Sequence, residues 1–170
     1  MIEWLIPGTL AAAALYAILI YNRLVRDRQH SRAGWSDIEV QLKRRHDLIP
    51  KLVEAVKQYA AYEQATLDRL TALRGQAQTS QPVDQQGRVE SSISQGLISI
   101  FALQEAYPNL KANRSFLQLQ SDISAVESDI QFARRYYNGA VRNLNSRIES
   151  FPDLLIARLF NYEPALYFEF

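Results

Sequence analysis

An uncharged apolar stretch near the N-terminus limits what this chain can fold into more than any other feature of the sequence. From Trp4 to Tyr21 the residues read WLIPGTLAAAALYAILIY, with no charge and one clearly polar side chain. About 18 helical residues span about 27 Å, close to the hydrocarbon thickness of a bilayer. The stretch predicts a transmembrane helix with Trp4 and Tyr21 at the two interfaces and with Leu5, Leu15 and Ile18 among its anchoring side chains.

The charges around this stretch favour a retained anchor and indicate its orientation. A cleaved signal peptide, the alternative, carries cations before its apolar run and a small-residue cleavage site after it. Here Glu3 is the charge before the run, and the cations follow it. By the positive-inside rule, residues 1–21 form an anchor with a short outer N-terminus, and the bulk of the chain lies in the cytoplasm.

Four arginines follow the anchor closely, against one aspartate, Asp27; they are Arg23, Arg26, Arg28 and Arg32. The first three are placed to contact anionic lipid headgroups, where each cation contributes about 1 kcal/mol. The alternative is that they only fix the topology. The net charge of the whole chain is +1, so the domain is not built to bind a polyanion, and we expect no nucleic acid partner.

Beyond the anchor the sequence has the apolar periodicity of long packed helices. One stripe, at spacings of mostly three and four, comprises Trp35, Ile38, Leu42, Ile49, Leu52, Val56, Tyr59, Leu67, Leu70 and Leu73. It predicts a first helix over residues 22–74, into which the anchor continues because no firm stop signal intervenes. The polar segment 77–87 predicts a mobile loop, and a second helix follows it and ends near Pro108.

A third helix has the cleanest repeat in the chain. Residues seven apart are Phe116, Ile123, Ile130, Tyr137 and Leu144, interleaved with Leu119, Val126, Ala133 and Ala140. This a/d seam predicts a helix that begins near Ala112 or Asn113 and stops at Pro152. The chain is therefore predicted to be all-α: a transmembrane helix (1–21) continuing into an antiparallel up-and-down bundle of about three long helices and a short C-terminal helix (22–160), with an aromatic tail (161–170).

The predicted helix lengths leave part of the first helix uncovered. The second helix reaches only about 30 Å and cannot cover a first helix of about 80 Å. Leu24, Trp35, Ile38 and Leu42 would then expose apolar surface near the membrane. Either the aromatic tail or a neighbouring copy must bury them, and we favour another copy, which makes these four residues the predicted self-association site.

Motifs for catalysis, metal binding and cofactor binding are missing from the sequence. The chain has no cysteine and two histidines, His30 and His46, both on the cation-rich first helix, so a catalytic triad or dyad is not expected. Paired Glu-x-x-His motifs, HExxH and a phosphate-binding glycine loop are also missing. We expect no catalytic residues, no metal and no cofactor; an uncharacterised enzyme is the weakest of three functional hypotheses.

The segment KRRHDLIPKL, residues 43–52, places a cation in the apolar seam and a proline in the helix. Arg45 lies in heptad register with Ile38 and Leu52, so it requires a carboxylate partner, because a buried unpaired cation costs several kcal/mol. Asp122 and Glu127 on the third helix are the expected partners if the two helices run parallel. Pro50 predicts a kink, and it frees the carbonyl of residue 46, which needs another donor if it is buried.

The sequence resembles the LemA family of bacterial membrane proteins. The resemblance rests on YNRLVRDR, WSDIEVQLKRRHDLIPKLVEAVKQYA, EAYPNLKAN and ARRYYNGAVRNLN, and on the FP that follows. It implies an N-terminal anchor in the bacterial inner membrane and a cytoplasmic antiparallel helical bundle. Relatives are associated with intracellular membrane compartments and with neighbouring membrane metallopeptidases. The family supplies no catalytic residues to transfer.

These observations lead to two functional hypotheses besides catalysis. The first is a non-enzymatic, membrane-anchored protein that contacts lipid, forms a homo-oligomer, and organises or remodels membrane or scaffolds partners at its cytoplasmic face. The second is an adaptor or regulator of a membrane metallopeptidase or another membrane complex. It would dock its partner through the apolar tail or the polar loop.

Overall fold

The computed structural model describes residues 2–60, 63–79 and 82–169, and the side chains from residue 6 onward within these ranges. The predicted anchor side chains Trp4 and Leu5 therefore lie outside the described side chains. Within the described ranges the chain is helical and has no strand. Its elements are α1 (Ile2–Lys57), α2 (Gln64–Ala77), α3 (Val83–Ala102), a 3-10 turn (Leu103–Glu105), α4 (Pro108–Lys111), α5 (Arg114–Glu149) and α6 (Asp153–Leu159).

The anchor and the first bundle helix form one continuous helix, α1, of 56 residues. At 1.5 Å per residue it is about 84 Å long. A segment of it is long and apolar enough to cross a membrane. The predicted continuation across Tyr21 is confirmed, and the predicted boundary between residues 21 and 22 is not marked by any break in the helix.

The predicted end of the first helix at Arg74 is wrong, because the chain reverses after Lys57. The carbonyl of Val56 accepts hydrogen bonds from the amides of Tyr59 and Ala60, both at 2.9 Å, and Ala60 is fully buried. The side-chain amide Nδ2 of Asn113, just before α5, donates to the Tyr59 hydroxyl at 2.8 Å. A longer α1 would extend past the start of α5 with nothing to cover it, whereas folding back buries the apolar residues of α2.

The helices alternate in direction. In α2 the Arg74 side chain reaches back to the carbonyl of His46, so α2 runs antiparallel to α1. Gln86 then contacts the Ala77 carbonyl, and Gly96 lies against Leu70, so α3 reverses again.

The long helix α5 returns along the whole bundle, antiparallel to α1. The Asn113 side chain caps it by accepting the amide of Phe116 at 3.0 Å, which confirms the predicted start. Near its far end Arg147 contacts Asp27 of α1. At Gly34 the two helices approach so closely that an added Cβ would lie 3.0 Å from the Cα of Tyr137.

The predicted loop over residues 77–87 is too long. Residues 78–82 separate α2 from α3, and α3 begins at Val83. Pro82 has an extended ψ of 149° at the N-cap, and Asp84 lies in the first turn, where a carboxylate is favoured by the helix dipole. The polar composition therefore concealed a helix start that has an acidic first turn but no side-chain cap.

The C-terminal tail packs against α5 in an extended conformation. The amide group of Asn145 exchanges two hydrogen bonds with the backbone of Ala165, at 2.8 and 2.9 Å. Asn138, seven residues earlier on the same helix, does the same with Phe168, at 2.9 and 3.1 Å. Tyr137 donates from its hydroxyl to the carbonyl of Leu166 at 2.8 Å. The Phe168 ring is fully buried.

The chain itself covers the residues predicted to need a second copy. Leu24, Ile38 and Leu42 are buried, packed against apolar residues of α5, α6 and the tail. Trp35 is half-buried, with its ring centroid 5.5 Å from those of Tyr137 and Phe168. The inference that these four residues form a self-association site is therefore corrected, because α5 and the tail already occupy that face.

Candidate functional site

The most unusual group of side chains is a buried charged cluster at mid-height in the bundle, built on Arg45. Arg45 is fully buried, as its heptad register predicts. Its guanidinium donates to the carboxylates of Glu90 on α3 and Glu127 on α5, the latter at 2.5 Å, and to the Ser94 hydroxyl at 2.8 Å. Three helices are thereby joined by one side chain.

The carboxylate of Glu90 is also fully buried and is shared by three donors. Besides Arg45, it accepts from Gln86 at 2.9 Å and from the His46 ring, whose Nε2 lies 2.9 Å from Oε1. Because the acceptor is a carboxylate, this nitrogen carries the hydrogen. Burial would raise the pKa of Glu90, but the hydrogen bond from His46 and the charge of Arg45 outweigh it and hold the pKa below its usual value.

The predicted pairing of Arg45 with Glu127 is confirmed, but the parallel orientation of the two helices that was assumed for it is wrong. Helices α1 and α5 run antiparallel, and Glu127 reaches Arg45 because residue 127 lies at the same height as residue 45 in that arrangement. Asp122 instead accepts from Gln118 on its own helix at 2.8 Å.

The sequence reasoning missed Glu90, the more buried of the two carboxylates. Its register was visible, because Glu90 lies seven residues before Leu97 in the seam that continues through Ile93 and Ile100. All three of those residues are buried in the bundle core. A carboxylate in the seam of one helix and an arginine in the seam of another could have predicted that Glu90 pairs with Arg45.

The proline in this region is accommodated without a break in α1, which stays helical through Pro50. The carbonyl that Pro50 cannot satisfy, that of His46, accepts a hydrogen bond from Arg74 Nε at 2.8 Å. The donor that the sequence called for therefore comes from α2. In this part of α1, the backbone next to Pro50 contacts α2, and Arg45 contacts α3 and α5.

The geometry of the cluster suits fixing helices in register better than chemistry on a substrate. Arg45 and Glu90 are entirely buried, and their polar groups are engaged with one another. An open groove of about 700 Å³ passes His46 on its other side, lined by Trp35, Lys43, Asp47 and residues 77–79. Among the residues that the structure describes, no three His, Cys, Asp or Glu side chains are grouped to hold a metal ion.

The predicted lipid-facing residues lie at the other end of the molecule. Leu15 and Ile18 are 64% and 55% exposed, whereas Tyr21 is half-buried against Phe160. Arg23 and Arg26 are exposed. Arg28 is half-buried, with its guanidinium 4.7 Å from the centre of the Tyr162 ring, so the predicted headgroup contacts suit the first two arginines better than the third.

These features define a class of protein: an all-helical bundle carried on an N-terminal helix that is apolar enough to span a membrane, and braced inside by a buried arginine with two glutamates. Residues 34–170 match the model of the LemA family, and the chain belongs to that family. It is 30% identical over 135 residues to "Protein LemA" of Metamycoplasma hominis, a match that covers 76% of this chain and 60% of that relative. The chain thus spans less than two thirds of the length of the curated relative.

Proposed function

We propose that the protein is a non-enzymatic scaffold of the bacterial inner membrane, which self-associates in the membrane plane and so organises lipid or partner proteins at the cytoplasmic face. The observation that carries the proposal is the continuity of α1. The exposed apolar segment up to Leu19 and the helix that forms the bundle core are one rigid element. A bundle attached in this way takes its position and orientation from the span itself, which suits an assembling scaffold.

The self-association surface that we propose differs from the one predicted from the sequence. Val40 on α1 and Phe132 and Tyr136 on α5 are 54%, 64% and 49% exposed and line one shallow depression. At 100° per residue, Phe132 and Tyr136 lie on the flank of α5 away from Asn138 and the tail. Within the described ranges, no segment covers this flank along the part of the bundle where α2 and α3 are absent.

Cysteine cross-linking tests the surface directly, because the native chain has no cysteine. Val40→Cys and Phe132→Cys variants of the full chain, in native membranes, are expected to give cross-linked dimers with a short bifunctional maleimide. Ile98→Cys, at a 68% exposed position on α3, is the matched control and should stay monomeric. Equal cross-linking at all three positions, or a monomeric mass for the native chain in nanodiscs, would refute self-association through this face.

The adaptor hypothesis has one supporting observation. The tail is packed into the bundle and does not suit docking, but the groove beside residues 77–79 is open and has mixed polar and apolar walls. A photoreactive residue in place of Gln78 would cross-link to a membrane metallopeptidase or another membrane protein if the adaptor hypothesis is correct. Adducts with lipid or with a second copy alone would count against it.

A further inference from the structure

A second apolar surface lies on α6, at the end of the bundle from which the anchor leaves. Phe151, Leu155 and Leu159 are 80%, 57% and 71% exposed, and Phe160 is about half exposed. Leu155 and Leu159, four residues apart, lie on one side of α6, and Phe151 lies in the turn that precedes the helix. The opposite side of α6 carries Ala157 and Asp153, both buried. The helix therefore turns an apolar face outward.

The position of α6 relative to the anchor is fixed by direct contacts. The ring of Phe160 lies 4.6 Å, centroid to centroid, from that of Tyr21, the last residue of the apolar run. Ala157 packs in one cluster with Ile20 and Leu24 of α1. The outward face of α6 therefore lies at the height of the last turn of the predicted span, where α1 passes from apolar to charged sequence.

The orientation of α6 is held by an ionic link. Arg147 of α5 donates to Asp153 at 3.0 Å and to Asp27 of α1 at 2.6 Å. These hydrogen bonds raise the pKa of Arg147, so its guanidinium stays charged at any physiological pH. The start of α6 is thus tied to both long helices, and its apolar face is not free to turn inward.

We propose that α6 is a second membrane contact, lying in the headgroup and acyl boundary of the leaflet that α1 leaves. Phe151, Leu155 and Leu159 would enter the boundary, and the exposed cations Arg23 and Arg158 would meet anionic headgroups. The occupant is lipid because the patch continues the exposed apolar surface of Leu15, Ile18 and Leu19. The inference rests on the proposed membrane anchoring and adds a specific depth and tilt.

Site-directed fluorescence in the full chain tests this contact. Leu155→Cys and Leu159→Cys variants are labelled with an environment-sensitive dye and reconstituted in phosphatidylethanolamine and phosphatidylglycerol vesicles containing spin-labelled lipid. Both positions are expected to show blue-shifted emission and to lose most of it to lipid quenching. Ile98→Cys, equally exposed but at the far end of the bundle, should keep the emission of a dye in water.

A fourth position separates failure of this inference from failure of the anchor. Leu15→Cys should be quenched if α1 spans the bilayer. Quenching at residue 15 without quenching at 155 and 159 overturns the α6 contact and leaves the anchor intact, whereas an unquenched residue 15 overturns both. Shielding at 155 that resists lipid quenching and disappears on diluting the protein in lipid assigns the face to a second copy, and also overturns the inference.

Discussion

Replacing Arg45 by methionine removes the one cation that two carboxylates share inside the bundle. Methionine fills a similar length of space without charge, so the main consequence is electrostatic. Glu90 keeps His46 and Gln86 as donors but loses its counter-ion in a site with no access to water. Removing one partner of a buried ion pair costs about 3–5 kcal/mol. That is a large part of the roughly 5–15 kcal/mol by which a domain is stable.

The neighbouring residue supplies a matched control. Arg44 also pairs with a carboxylate of α5, Asp129, at 3.3 Å, but both side chains are about half exposed. An exposed pair contributes about 0–1 kcal/mol, so Arg44→Met should be nearly neutral. Urea unfolding of the full chain in detergent, followed by circular dichroism, should show a midpoint lower by about 2 M for Arg45→Met, at a slope near 2 kcal/mol per M.

A double variant tests whether the cost comes from the uncompensated charge. Replacing Arg45 and Glu90 together by methionine and leucine leaves an apolar layer, an exchange that is often neutral or stabilising. Glu127 remains, but its side chain is 27% exposed and can be hydrated. The double variant should therefore recover most of the lost stability. If Arg45→Met costs no more than Arg44→Met, the cluster does not stabilise the bundle in the way described.

Three further predictions follow from the fold. The pKa of Glu90 is lower in the folded state than its unfolded value of about 4.5. The ionised Glu90 carboxylate therefore stabilises the fold above about pH 4.5, and this stabilisation is lost as the pH falls through the folded pKa. Glu90→Gln should abolish that part of the acid dependence of the urea midpoint. Asn138→Ala removes two hydrogen bonds to the tail, each worth about 1 kcal/mol, and should speed amide exchange at Phe168, whereas the exposed Asn143→Ala should not. Gly34→Ala should destabilise the bundle by about 1–3 kcal/mol, because the added Cβ overpacks against Tyr137; this loss exceeds the gain of up to about 1 kcal/mol in helix propensity. The control is Gly139→Ala, whose added Cβ has nothing within 4 Å. It should be neutral or stabilising in the same unfolding assay.

The sequence was sufficient to predict the features that depend on local periodicity and capping. The heptads of α5, its cap at Asn113, the continuous α1 and the inward position of Arg45 all follow from residues a few turns apart. The reversal after Lys57 was missed because AYEQA carries no stop signal. That reversal is decided by where α5 begins, more than 50 residues further along the chain.

The burial of Leu24, Ile38 and Leu42 was attributed to a second copy of the chain, rather than to α5 and the tail, for a related reason. Asn138 and Asn145 have the ordinary appearance of exposed helix residues, and nothing in their spacing shows that they bind the backbone of an extended segment. A segment that is bound through its backbone needs no particular side-chain pattern, so its sequence does not show the contact. The tail's affinity for α5 is therefore visible only in three dimensions.

The unbroken α1 has a mechanical consequence. From Tyr21 to Lys57 it extends about 54 Å beyond the predicted span. Spans adjust their tilt to the thickness of the bilayer, and a change of about 10° would swing the distal end sideways by about 9 Å. Energy transfer between a dye on the vesicle surface and a label near Tyr59 would detect this swing in bilayers of different thickness, and an invariant signal would exclude it. The helix is a lever that converts membrane thickness into lateral displacement of the bundle.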